Sequence, residues 1–211
     1  MSASGRFVSG PSVSDILADF MNPLMEEAGF SRRKNRYQIK GENGAFVGVQ
    51  VRPWGMSNES ASFNVDWSVI PPVLAGYLGR EKRLSWPALY NGLFVERVEA
   101  PESVRALPTA KGLWECRFAE YDRFGAVYTG ALRSSVIPSW LACLDPPYLR
   151  STDIGSDNAF PFGYVPWREI VLTVDDGDPD RLEELFREAA TRKQPEPDFL
   201  PWLRARFETR F

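Results

Sequence analysis

The amino-acid sequence predicts an α+β fold: an antiparallel sheet of about five or six strands, with N-terminal and C-terminal helices packed on one face. Three observations lead there. Period-two alternation of apolar and polar residues runs through three consecutive stretches, near 35–40, 45–52 and 60–69. Helical spacing precedes them over 13–28, and it returns towards the C-terminus from Asp178 onward.

Residues 1–12 are rich in Ser and Gly with little to bury, so a mobile tail is expected there, leaving 13–211 as a single domain with C-terminal helices. Val13, Ile16, Leu17, Phe20, Met21, Leu24, Met25 and Ala28 then recur at helical intervals, with Gly29 as the stop. Pro23 lies inside this helix and should kink or split it at Asn22, because proline lacks the N–H that the helix needs. The basic run Arg32, Arg33, Lys34 and Arg36 reads as a solvated turn.

Gly41, Glu42, Asn43 and Gly44 suit a hairpin turn between the first two strands. Successive side chains alternate across a strand. Val47, Val49 and Val51 therefore face away from Gly48, Gln50 and Arg52. Likewise Ala61, Phe63, Val65, Trp67 and Val69 share a face opposite Ser62, Asn64, Asp66 and Ser68. One buried and one wet face is the usual arrangement of an antiparallel sheet.

After Pro71 and Pro72, residues 73–78 suit a short helix. Further strands are expected near 93–98, 113–119 and 126–132, the second of these burying Trp114, Cys116 and Phe118. Residues 135–144 read as a short helix closed by Asp145, Pro146 and Pro147, and 151–166 as a long loop. A short apolar strand at Ile170–Val174 follows. A helix then starts near Asp178 and Pro179, and a last one runs from Phe199 to about Phe207.

The composition narrows the chemistry. Lys and Arg total 25 against 28 for Asp and Glu, a formal charge of −3, so no basic excess marks the chain as a nucleic-acid binder. Histidine is absent, which removes Ser-His-Asp triads, Cys-His pairs, histidine-ligated zinc and histidine general bases. Cys116 and Cys143 form no paired motif, and Cys116 reads as a small buried hydrophobe. The N-terminus lacks the apolar core of a signal peptide, and no stretch approaches the roughly 18 apolar residues that span a bilayer. A cytoplasmic protein with no membrane partner is expected. Neither a GxGxxG nor a GxxxxGK sequence is present, and no cofactor or metal is expected.

The preferred functional reading is a non-catalytic binding or interaction domain that uses the polar face of its sheet. Its candidate residues are Arg36, Gln38, Lys40, Gln50, Arg52, Asn64 and Asp66, with Trp54 and Trp167 as aromatic anchors in loops beside prolines. The partner would be another protein or a small polar ligand. The alternative is a carboxylate-dependent enzyme acting on a small polar substrate through Asp66, Glu115, Glu120 or Asp122, although no spacing among these selects a pair.

A resemblance adds to this reading. Pro23-Leu24-Met25 leading to Ala28-Gly29-Phe30, the basic stretch Ser31 to Arg36 with Tyr37, the strand Phe46 to Val51 containing Gln50, and Phe63-Asn64-Val65 resemble the bacterial family known as domain of unknown function 4304. The likeness covers roughly residues 14–70. Val51, Arg52 and Pro53 depart from the polar run that the family pattern has after the Gln. The resemblance implies an α+β layout and a bacterial cytoplasmic setting, and it carries over no catalytic residue.

The acidic run Asp175, Asp176, Gly177, Asp178, Pro179, Asp180 has the alternating aspartates of a calcium loop. Measured from Asp176, Arg181 and Arg187 occupy the positions where that loop needs a glycine and a bidentate glutamate. Asp178 instead suits a helix cap. Millimolar calcium should therefore leave the melting temperature unchanged; a rise of several degrees in a thermal-shift measurement would contradict this.

Overall fold

Ser12 opens the first helix through a reciprocal cap. Its Oγ accepts the Asp15 N–H at 3.3 Å, while the Asp15 carboxylate accepts the Ser12 N–H at 2.8 Å. The structure, a computed structural model, describes residues 10–80, 89–152, 165–192 and 195–211. Most of the expected tail and most of the expected loop at 151–166 lie outside the described residues, as does Trp86.

Helix α1 (Val13–Ile16) runs through a π turn (Leu17–Met21) into α2 (Asn22–Glu27). The break falls where Pro23 predicts it. The Asn22 N–H reaches back to the Leu17 carbonyl, and this wider turn carries the chain past a residue that cannot donate. Gly29 ends the helix at φ 84°, with its N–H on Glu26 O at 2.9 Å and the Phe30 N–H on Met25 O at 2.8 Å.

The basic run is more than a solvated turn. Ser31–Arg33 forms strand β1, paired with β2 (Arg36–Lys40), and only Lys34 and Asn35 make the turn. Lys34 takes φ 59°, and Asn35 fixes the turn by donating from Nδ2 to Val51 O at 2.5 Å. Strands β3 (Phe46–Met56) and β4 (Ser60–Ile70) follow, in the register Val47↔Val69, Val49↔Trp67, Val51↔Val65. The predicted apolar face is buried throughout.

Helix α3 (Pro72–Gly79) leads on to β5, which is only Glu96–Arg97, and β6 (Leu113–Arg117). The six-stranded antiparallel sheet runs β1-β2-β3-β4-β5, and β6 also pairs with β4. Between β4 and β5, Leu93 and Phe94 are buried without strand structure, and Phe94 packs edge-on against Trp67 at 5.1 Å.

Residues 126–132, expected as a strand, belong to α4 (Tyr121–Ala131), which continues through a second π turn (Leu132–Val136) into α5 (Ile137–Ala142). Phe124, Tyr128 and Leu132 are buried one helical turn apart, and this period prevails over the alternation of Ala126, Tyr128, Gly130 and Leu132. Pro138 stands just after the π turn, as Pro23 does in the first helix. Pro146 and Pro147 open α6 (Pro146–Ser151), although the sequence suggested that they close the preceding helix. Ile170–Val174, expected as a strand, falls on α7 (Trp167–Thr173) and its cap. The chain ends with α8 (Pro179–Ala190) and α9 (Phe199–Glu208).

Phe63 meets Phe124 and Tyr128 at 6.1 and 5.7 Å, and Trp67 meets Trp140 at 6.2 Å, so α4 and α5 cover the apolar face together with the N-terminal helix. The C-terminal helices join the same buried cluster through α3, where Tyr77 packs on Phe199 at 4.7 Å. The Tyr77 hydroxyl also lies on Glu196 at 2.9 Å and Asp198 at 2.5 Å, and Arg80 holds the far oxygen of Asp198 at 2.5 Å.

Three outcomes follow from these contacts. Trp67→Ala should lower the unfolding free energy by about 3–5 kcal/mol in a denaturant titration, the range for a truncated core aromatic. Asp178 accepts the Arg181 N–H at 2.9 Å as the cap of α8, so Asp178→Ala should cost about 0.5–2 kcal/mol by the same assay. The hydrogen bond from Tyr77, joined by that from Arg80, lowers the Asp198 pKa. A depressed folded-state pKa gives stability that is present above the unfolded value and is lost as pH falls through the folded one. The melting temperature should accordingly drop on acidification below about pH 4, and Tyr77→Phe should flatten part of that drop.

Candidate functional site

The face of the sheet opposite Trp67 is organised in cross-strand rows. Register pairs Arg33 with Arg36, Arg36 with Gln50, Gln50 with Asp66 and Asp66 with Arg97, so these five residues form one row across five strands. Residues directly opposite in antiparallel strands have Cβ atoms about 4.5–5.5 Å apart, which makes them interacting neighbours.

The two ends of the row differ. At the inner end Asp66 is 2% exposed, and its two carboxylate oxygens accept from Arg52 Nε at 2.5 Å and Arg97 Nε at 3.0 Å. A carboxylate out of water needs such charge-assisted bonds, and here each oxygen has one. The two arginines remain partly exposed, so their guanidinium groups are not fully desolvated. At the outer end Arg33 and Arg36 are both exposed and directly opposed, and among the described residues neither has an acidic partner. Gln50 lies half-buried between the ends.

The neighbouring rows are less polar than alternation suggests. Gln38 pairs with Gly48, and Gly48 with the buried Ser68. Leu89 lies 3.8 Å from where a Gly48 Cβ would stand. The buried Gln38 Oε1 has no hydrogen-bond partner among the described residues, and a space of about 10 Å³ lies between Gln38, Gly48, Gln50 and Leu89, close to the size of one water. Asn64, 3% exposed and paired with Arg52 in register, likewise has an Oδ1 with no partner among the described residues. Lys40 sits at the end of β2 with its Nζ 5.5 Å from the Phe46 ring, outside the arginine row.

Asn64 and Asp66 thus do not lie on an open wet face. The chain over 89–97 closes upon β4. The Leu93 N–H bonds Val69 O at 2.9 Å, and a Cβ on Gly92 would come within 2.3 Å of Ser68 Oγ. Of the nine candidates, Arg36, Gln38, Gln50, Arg52, Asn64 and Asp66 are brought into adjoining rows, with Lys40 at their margin. Trp54 is 72% exposed where β3 bulges between Pro53 and Gly55. Trp167 is 1% exposed in the first turn of α7 against Phe199, so its ring is a core residue and not a loop anchor. Sequence reasoning missed Arg33 and Arg97 as site residues. Arg33 was legible had Lys34-Asn35 been read as a two-residue turn, whereas the pairing of Arg97 with Asp66 is long-range and carries no local signal.

Two of the four carboxylates of the enzymatic alternative share a cleft, and both are already engaged. Glu115 and Glu120 line a cleft of about 210 Å³ with Glu102, Arg105 and Arg117, and each is already bonded to an arginine, Glu115 to Arg117 at 3.1 Å and Glu120 to Arg123 at 2.9 Å. Asp66 belongs to the arginine row. The acidic run after α7 is divided among structural contacts, Asp175 to Arg206 and Asp176 to Arg150, beside the Asp178 cap. Burial pushes the Cys116 thiol up to about 11 and the Cys143 thiol to about 12, the latter helped by Glu96, which keeps both protonated and poor nucleophiles. Among the described residues no helix is long and apolar enough to cross a membrane.

Comparison with protein-family models, curated proteins and solved structures finds no match to this chain.

The asymmetric burial around Asp66 makes a test of the inner end. Replacing Arg52 and Arg97 together with Ala leaves a buried carboxylate without those partners, and the change should cost about 3–5 kcal/mol in chemical denaturation. Asp66→Asn leaves only half-exposed arginines behind and should cost distinctly less.

Proposed function

We propose that this chain is a non-catalytic interaction domain that takes an acidic protein segment on the outer end of its arginine row. The observation that carries this reading is the opposed pair Arg33 and Arg36 on an exposed edge hairpin, with no acidic partner for either among the described residues. Like charges directly opposite in a sheet destabilise it. The pair is therefore a feature that the fold tolerates and that a carboxylate-bearing partner relieves. Arginine suits the role, because its planar fork binds carboxylates bidentately and keeps its charge. Gln50 adds an amide beside the pair, and Trp54, exposed farther along β3, is of the residue type that dominates interface energetics. The acidic balance of the whole chain, at −3, makes the local positive patch selective by contrast with its surroundings. As part of the same proposal, the chain is read as a bacterial cytoplasmic protein, a setting with which its two buried free cysteines are consistent.

The test is affinity capture from the source organism with the wild-type chain and with Arg33→Glu/Arg36→Glu. The double reversal should reduce capture of the specific partner at least tenfold, about 1.4 kcal/mol, without lowering the melting temperature. Wild-type capture should weaken as salt shortens the range of surface charge below about 10 Å. Equal capture by the reversed variant would refute the assignment.

A further inference from the structure

The side of the β1–β2 hairpin that faces α2 holds a second feature, separate from the arginine row. A cavity of about 320 Å³ is lined by Asn22, Met25 and Glu26 of α2, by Phe30, and by Arg32 and Tyr37 of the hairpin. Arg32 stands directly opposite Tyr37 in register, so both side chains leave the hairpin on its helix side. The Arg32 charge is felt at the Tyr37 phenol, where it opposes the burial that raises that group to about 12.

The polar groups around the cavity are unevenly used. The Tyr37 hydroxyl donates to Asn22 Oδ1 at 2.7 Å, which engages the amide oxygen and leaves the amide NH₂ as the available donor. Among the described residues Glu26 and Arg32 make no ion pair, either with each other or with a third residue. Opposite charges therefore line one cavity without meeting. Glu26 is fixed on a helix and Arg32 on a strand, so the backbone keeps the two charges on separate elements. The remaining lining, Met25, Phe30 and the Tyr37 ring, is apolar and buried.

We infer that this cavity binds a small zwitterion with an apolar side chain, of the size and charge pattern of a free α-amino acid. Its carboxylate lies on the Arg32 guanidinium with the Asn22 amide beside it, its ammonium on Glu26, and its side chain against Met25 and Phe30. The volume is at the lower end for small-molecule pockets, which suits an amino acid better than a nucleotide. Because the two charges sit on separate elements and, among the described residues, pair with no third group, no ion pair has to be broken when a ligand enters, which lowers the cost of binding.

Titration calorimetry on the full chain tests this with L-leucine and L-phenylalanine, alongside N-acetyl-L-leucine, which lacks the ammonium, and 3-methylbutylamine, which lacks the carboxylate. Saturable binding of at least one amino acid is expected, with each one-charge analogue at least tenfold weaker. Glu26→Gln should weaken leucine towards the level of N-acetyl-leucine, and Arg32→Gln should weaken it towards that of the amine. Both residues are exposed, so the melting temperatures of the unliganded variants should match the wild type. Absence of binding by both amino acids at millimolar concentration would overturn the inference. So would analogues that bind as well as leucine, or leucine affinity indifferent to both substitutions.

Discussion

Strand β4 is enclosed on four sides. Along one edge it pairs with β3 over nearly its whole length, and along the other it pairs with β6 at its start and β5 near its middle. One face carries Ala61, Phe63, Val65, Trp67 and Val69 into the helices, and the other holds Asn64, Asp66 and Ser68 away from water. A strand buried on both faces is normally apolar throughout. Here three polar side chains interrupt it, and the carboxylate of Asp66 is compatible with burial because Arg52 and Arg97 reach it from the flanking strands. The Arg52–Asp66–Arg97 bridge thus ties β3, β4 and β5 together on the face where no helix was expected to help. The same bridge engages the inner arginines, whereas Arg33 and Arg36 at the other end of the row have no acidic partner among the described residues.

Much of this architecture is legible in the sequence where contacts are local. The valine alternation of β3 and the aromatic alternation of β4 gave the sheet, its inward face and its register parity, and Asp178 before Pro179 gave the start of α8. Legibility fails where two periods overlap. Ala126, Tyr128, Gly130 and Leu132 satisfy a strand, while Phe124, Tyr128 and Leu132 satisfy a helix, and only packing against Phe63 and Trp114 decides between them. The apolar run Ile170–Val174 is too short for periodicity to separate strand from helix. The site divides in the same way. Arg36, Gln50 and Arg52 follow from alternation, whereas the burial of Asn64 and Asp66 depends on a distant segment folding over β4, and the burial of Trp167 depends on α9.

The two prolines inside the long helices illustrate how a local defect is accommodated. Each follows a π turn, in which the N–H of the residue before the proline bonds to a carbonyl five residues back. In the first helix this places Asn22 where it accepts the Tyr37 hydroxyl, so the turn forced by Pro23 also supplies a wall of the cavity beside β2. Strand β2 accordingly separates two electrostatic settings. Arg36 looks out on a row with excess positive charge, and Tyr37 looks in on a cavity where opposite charges stand apart.

The interaction surface rests on Arg33 and Arg36 being the groups that meet an acidic partner, and side-chain Nε–Hε nuclear magnetic resonance observes these groups individually. On addition of the captured partner, the Nε–Hε signals of Arg33 and Arg36 should shift and gain protection from solvent exchange, while those of Arg181 and Arg206, already held by Glu169 and Asp175, should stay in place. Shifts confined to the C-terminal arginines, with Arg33 and Arg36 unchanged, would contradict it.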